Sequence, residues 1–302
     1  MPRPTPPSHA RLASRFTARI ALIACLTLSL GCATYGPTNP SFDLEVDQAW
    51  AALDEMATQP HTPPRPIVVL AGWNDPGTAV GTLADMLDEA IGDASLIVVH
   101  FALTGNFDAC RERVINAVDM AYPNDDPVWT SEVDVVAISM GGLVARYAAA
   151  DPPTGNPVRR LRINRLFTIG TPHRGADLAT LPTPDHRQFD MRGESEFLQQ
   201  LDASFEDADY ELYPYVRLGD LIVGAPNTAP PGDTPWWLPN RRLELAHAWA
   251  YRDPRIVADI TRRLRDEEPF ATNPRTPLPG REDEDKDDTT TDYAAADTHE
   301  TQ

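Results

Sequence analysis

The chain predicts an α/β fold with a mostly parallel central sheet and helices on both of its faces. Three observations carry this. Short apolar runs alternate with longer segments whose apolar residues recur at spacings of three and four. The short runs are apolar along their whole length, as strands covered on both faces are, instead of alternating in and out. At 302 residues the chain is long enough to bury a core of its own without disulfides or metals.

Composition removes several function classes. Lys and Arg number 26 against 45 Asp and Glu, a formal net charge of -19, which repels a phosphate backbone and argues against nucleic acid as a partner. The three Cys stand at positions 25, 32 and 110, so the body of the protein has one, too few for a disulfide framework or a thiolate zinc site.

Arg3, Arg11, Arg15 and Arg19 precede the apolar run Ile20 to Leu30. A spanning helix needs roughly 20 apolar residues, so the run is too short for an ordinary transmembrane element, and residues 1–31 read as a signal peptide. The run ends in Ser29-Leu-Gly-Cys32-Ala33, which resembles the bacterial lipoprotein processing box. That resemblance implies a lipidated Cys32, attachment to a membrane through this anchor, and an outer-membrane destination. Ordinary export to the periplasm or the exterior is the alternative.

Residues 32–65 are expected to be a linker followed by a helix that Ser41 opens, with Phe42, Val46, Ala49, Trp50, Leu53 and Met56 on one face before Pro60 and Pro63-Pro64 end it. The main domain is expected over 66–268. Its strands are Ile67–Leu70, Leu96–Phe101, Val133–Ile138, Arg162–Ile169 and a weak last one around Tyr215-Val-Arg217. Helices fall between them, one with Val80, Leu83, Leu87 and Ile91 on a face, and one in which Cys110, Val114, Ala117 and Ala121 pack together. A short helix follows Ser139-Met-Gly-Gly142, and Asp253-Pro254 starts the final helix, with the Pro where its missing N–H is not needed. Insertions at 174–212 and 225–242 interrupt the scheme on the carboxyl side of the strands, where ligands bind in open α/β sheets. Residues 269–302 are expected to be a disordered tail, Pro-rich and then acidic, with nine acids after 280 against Arg281 and Lys286.

The chemistry concentrates at Ala137-Ile-Ser-Met-Gly141, between a buried strand and a helix. A Ser at such an abrupt turn is held exposed above the sheet, with a small residue two places to either side so that the bend can close. With Gly142 following, the segment resembles the nucleophile elbow of the α/β-hydrolase superfamily, with Ala137 in place of the first Gly. From 66 to 265 the chain is similar to bacterial triacylglycerol lipases and esterases of that superfamily. Thr171-Pro-His173-Arg-Gly175 and Gly193 to Leu201 look like further segments of the pattern.

The resemblance implies a catalytic triad in the chain order Ser139, Asp220, His247. Asp220 stands in Arg217-Leu-Gly-Asp220 after the weak strand, with Asp209 and Asp233 as rivals, and His247 precedes the last helix. It further implies an oxyanion hole made by the backbone N–H groups of Trp73 and Met140. His173 is tempting as a base, but in this pattern it supports the turn beside the serine without supplying the base. Trp236, Trp237 and Trp249 would line a substrate pocket or small lid, or else pack the long loop against the domain. No cofactor or metal is implied: there is no HExxH, paired Cys or nucleotide-binding glycine pattern.

A serine carboxylester hydrolase at the cell envelope, acting on an ester or lipid, is therefore the expected activity. Another acyl-transfer enzyme on the same scaffold (amidase, peptidase, thioesterase or acyltransferase) and a non-catalytic envelope binding lipoprotein are the alternatives. Oligomeric state is not legible.

Overall fold

Six parallel strands form one sheet in the order β2-β1-β3-β4-β5-β6. In chain order these are β1 (Ile67–Leu70), β2 (Leu96–Val99), β3 (Val133–Ile138), β4 (Ile163–Ile169), β5 (Glu211–Arg217) and β6 (Trp236–Leu238). The computed structural model describes residues 36–280 apart from 152–158, 183 and 242. The signal peptide 1–31, Cys32 and the acidic residues 281–302 lie outside the described residues. From Pro37 onward the described residues form one compact unit.

Every residue of β1 and β3 is buried, which is why β1 reads as an unbroken apolar run and β3 as one interrupted only by Asp134. Helices α1 (Val46–Ala57), α2 (Thr78–Ile91) and α8 (Pro254–Leu264) pack on one another, as do α3 (Phe107–Ala121), α4 (Met140–Ala149) and α6 (Glu196–Phe205). Short helices α5 (His186–Asp190) and α7 (Ala246–Ala250) lie in the connections after β4 and β6. Caps follow the sequence: Asn106, Ser195 and Asp253 each accept a backbone N–H in the first turn of α3, α6 and α8. Among the described residues no helix is long and apolar enough to cross a membrane.

The strand order reverses at β1 and β3. The chain runs from β1 outward to β2, then returns to place β3 on the other side of β1, with Leu70 paired to Ala137. The loops leaving these two strands therefore diverge and open a crevice at their carboxyl ends, the general ligand position in such sheets. Opposite that crevice, Arg165 on β4 holds Asp134 on β3 through two contacts of 2.6 and 3.2 Å and reaches Asp266 at 2.7 Å. Charge pairing thus ties β3 to β4 near their amino ends.

Several expectations change. The segment 225–242 is not simply an insertion, because Trp236–Leu238 enters the sheet as its edge strand, pairing Tyr215 with Trp236 and Arg217 with Leu238. Three residues between prolines are too few to show a period. The tail expected to be disordered from 269 begins later: residues 270–278 pack along this edge. Trp236 Nε1–H donates to Thr272 O at 3.0 Å and Trp237 Nε1–H to Thr276 O at 2.9 Å. Arg275 pairs with Asp233 at 2.6 Å while its guanidinium lies 4.1 Å from the Trp236 ring centre. The linker expected from 32 is likewise absorbed by its end, with Phe42 and Leu44 in the core and Asn39 Nδ2 donating to Trp237 O at 2.7 Å. Pro40–Phe42 forms a separate 3-10 turn, and Trp50 of α1 faces solvent.

Candidate active site

Ser139 sits between the last residue of β3 and the first of α4 with φ 51 and ψ -123. This is costly backbone for a residue with a Cβ, of order 1–3 kcal/mol, and it persists only where the surroundings impose it. They do so by close approach. A Cβ on Gly141 would stand 2.6 Å from Ala71 O and one on Gly142 would stand 2.3 Å from Thr171 Oγ1, so only glycine lets α4 start this close to β1 and β4. Ser139 N–H donates to Ile169 O at 2.8 Å, and Thr171 Oγ1–H donates to Ser139 O at 2.8 Å. Both sides of the turn are tied, and the Oγ is carried up out of the sheet.

Ser139 Oγ lies 3.1 Å from His247 Nε2, and His247 Nδ1 lies 2.7 Å from Asp220 Oδ2. The other carboxylate oxygen, Asp220 Oδ1, accepts the backbone N–H groups of Ile222 and Val223 at 2.9 and 3.0 Å. Asp220 is therefore an acceptor at both oxygens, which makes Nδ1 of His247 the donor and leaves Nε2 as the acceptor facing the serine hydroxyl. Gly170, at the end of β4, provides the room: with φ +61, its missing Cβ would stand 3.2 Å from His247 Nδ1 and 3.5 Å from Asp220 Oδ2. Of the two rival acids, Asp233 is held by Arg275 and Asp209 is exposed. The chain order Ser139, Asp220, His247 expected from sequence is the set the fold brings together.

On the β1 side, a Cβ on Gly72 would meet Ser139 Cβ at 3.3 Å, which places the Leu70-Ala-Gly-Trp73 turn directly against the serine. The amides of Trp73 and Met140 find no hydrogen-bond partner among the described residues.

His173 is fully buried and outside this chain of contacts. Arg146 Nη1 donates to its Nδ1 at 3.1 Å, so Nε2 carries the proton and donates to Thr168 Oγ1 at 3.1 Å. Burial, reinforced by the Arg146 and Arg174 cations, pushes its pKa well below the ordinary imidazole value. Arg146 is itself fixed by Leu201 O and Asp202, each at 2.9 Å. The imidazole thus joins α4 to Thr168 of β4, with Arg146 extending the tie to α6, and so supports the turn under Ser139.

A cavity of about 600 Å³ opens beside Ser139, His247 and Trp73, walled by Leu178, Ala179, Met191, Ile222, Val223 and Leu245. These walls come from the insertion after β4, from the loop that follows Asp220 after β5, and from the loop ahead of α7; the segment 225–242 contributes none of them. Here the pocket expected from sequence needs correction. Trp236 and Trp237 are buried in the edge strand, satisfied through Thr272 and Thr276, and do not line the cavity. Trp249, in α7, does not line the cavity either; it is exposed and stacked under the Arg252 guanidinium. The aliphatic wall was missed, although Leu221 and Ile222, an apolar pair in a loop immediately after the acid, were its signal. Among the described residues no group of three or more His, Cys, Asp or Glu side chains could hold a metal.

No protein-family profile matches the chain, and no curated protein matches it. Solved structures do align with it. The product of the gene lin2722 from Listeria innocua is 14% identical, with 68% of this chain and 95% of that one covered at a TM-score of 0.47. Bacillus licheniformis lipase BlEst2 is 16% identical over 59% of this chain and 86% of its own, at 0.43. Aspergillus fumigatus lipase B is 14% identical over 80% of this chain and 71% of its own, at 0.41. At such identities the sheet order and the site must speak for themselves: a parallel sheet that turns back at β1 and β3, a serine on a strained β3–α4 elbow, an acid after β5 and a histidine after β6 make this an α/β-hydrolase fold.

Proposed function

We propose that the chain is a serine carboxylester hydrolase of the lipase or esterase type, working through an acyl-enzyme on Ser139. The observation that carries this is the unbroken run of contacts from Asp220 through His247 to Ser139 at the mouth of an apolar cavity. His247 Nε2 takes the Ser139 hydroxyl proton as Oγ attacks the ester carbonyl, and the same nitrogen then returns it to the departing alkoxide. Asp220 holds the imidazole in the tautomer this requires and stabilises the imidazolium while it lasts. Water repeats the sequence in the second half, attacking the acyl-enzyme with His247 again as base and freeing Ser139.

The unpartnered amides of Trp73 and Met140 flank the serine and are the donors proposed for the oxyanion. Losing one such donor typically costs about 2.7–4 kcal/mol of transition-state stabilisation. The aliphatic walls favour an uncharged acyl chain, which buries its methylenes at roughly 0.8 kcal/mol each.

The test is the intact mass of the protein after a fluorophosphonate, beside Ser139→Ala, with turnover of a graded series of p-nitrophenyl esters. A single adduct on the parent and none on the variant, with turnover falling by about 10⁴-fold or more, is the expected result. A folded parent that takes no Ser139-dependent adduct and turns over no ester overturns the reading. The cell-envelope setting rests on residues 1–32 alone: Cys32→Ala is expected to move the protein from the membrane to the soluble fraction, and unchanged lipid-linked anchoring would remove the lipoprotein assignment.

A further inference from the structure

Trp73 has two separate attachments. Its backbone belongs to the turn pressed against Ser139, and its side chain reaches across the cavity mouth to the insertion after β4, where Nε1–H donates to Asp185 Oδ2 at 2.7 Å. The turn has two other fixed points, the Gly72 approach to Ser139 and Asp75, whose carboxylate accepts the N–H groups of Gly77, Thr78, Ala79 and Val80 at 2.8–3.1 Å. Between them lie Trp73 and Asn74, the latter at φ 56. The Trp73 peptide is held on its carbonyl side only by a long bond, from Asp75 N–H to Gly72 O at 3.4 Å, so the indole is a second control on its orientation.

Asp185 is well placed to exert it. Arg187 donates from Nε at 3.0 Å and from Nη2 at 2.7 Å to the two carboxylate oxygens, and its Nη1 donates to Thr104 Oγ1 at 3.1 Å. This guanidinium holds the Asp185 carboxyl below the usual carboxylate range, with the Trp73 indole contributing in the same sense. Asp185 also caps α5, through the Arg187 backbone N–H at 3.0 Å, and two residues at and just after this helix, Gln188 and Met191, wall the cavity.

We propose that Asp185 is a positioning residue for the oxyanion hole: by holding the Trp73 indole it fixes the direction of the Trp73 amide, and so couples the wall of the acyl cavity to the catalytic turn. The inference rests on the ester-hydrolase reading. Trp73→Phe keeps the ring and removes the donor; Asp185→Asn keeps the shape but has one acceptor oxygen, so it cannot serve the indole and Arg187 Nη2 on one side and Arg187 Nε and its backbone N–H on the other. Because the amide is misaligned and not deleted, each is expected to lower kcat by about tenfold, below the 10²–10³ of a deleted donor, with KM within about threefold.

The double variant is the decisive one. If both act through the same bond, Trp73→Phe/Asp185→Asn turns over no more slowly than the slower single variant. The Nε1–H resonance that Trp73→Phe deletes from the ¹H–¹⁵N spectrum identifies Trp73, and that resonance is expected to shift upfield in Asp185→Asn. An active parent whose variants stay within twofold in kcat, or whose losses multiply in the double variant, overturns the proposal and leaves the ester-hydrolase reading standing. A parent with no Ser139-dependent turnover removes that reading and this inference with it.

Discussion

The elbow around Ser139 and the aromatic edge around Trp236 are both buried and hydrogen-bonded, but they are specified over different distances along the chain. At the elbow, the residues that permit the turn, Gly141 and Gly142, are its own neighbours, and the contacts that hold it come from the next strand in the chain, through Ile169 at the end of β4 and Thr171 just after it. At the edge, β6 is completed by Asn39 from near the start of the described chain and by Thr272, Arg275 and Thr276 from near its end. A local constraint leaves its mark in a few consecutive residues. A distant one leaves aromatic residues whose partners are not in view, and their role cannot be told from their type: the same Trp-Trp pair serves as a pocket wall or as a strand, depending on where each indole N–H finds an acceptor.

The sharpest way to break this contrast is at the edge. Trp236→Ala is expected to cost about 3–5 kcal/mol of folding stability, in line with truncating a large buried aromatic residue. It also removes the plane against which Arg275, Arg263 and Tyr213 lie. Denaturant unfolding reads this loss, and ester turnover of the folded variant is expected to stay within twofold of the parent. If kcat instead falls tenfold in protein that unfolds at the parent's denaturant midpoint, the edge is part of the site and the contrast fails.

Much of the site was legible for the reason the contrast gives. The serine is announced by the strand that precedes it and the glycines that follow. Asp220 and His247 follow from chain order once the serine is placed, although the two contacts that join the three residues could not be read from spacing. The strands were legible where burial on both faces makes them uniformly apolar, and β5 less so because Glu211 and Pro214 interrupt it; its true extent starts four residues earlier than Tyr215. What stayed hidden depends on distant pairing: the three-residue edge strand, the packing of 270–278, the Trp73–Asp185 bond, and an acyl wall assembled from three separate loops.

The two regions should also differ in their response to mild acid, a smaller effect that isolates one residue. The elbow rests on neutral His173, which faces Arg146 and Arg174 and whose pKa burial pushes well below the ordinary imidazole value of about 6.5. The unfolded chain therefore takes up a proton near pH 6.5 that the folded chain refuses. Since stability rises with pH wherever the unfolded state binds more protons, the contribution of His173 is fully present above about pH 6.5 and is lost as the pH falls below it. From pH 7 to pH 6 the parent is therefore expected to lose stability through this one group. The edge has no histidine in 211–238 or 270–278, so it adds nothing in that window. Denaturant unfolding at the two pH values, on the parent and on His173→Gln, isolates this contribution: the variant is expected to be less stable at both, because Arg146 loses a fitted acceptor, but its stability should change less with pH than the parent's. A pH dependence unchanged by the substitution would mean that the turn under Ser139 accommodates a protonated imidazole, which the 3.1 Å contact from Arg146 Nη1 to Nδ1 forbids as long as α4 keeps its place.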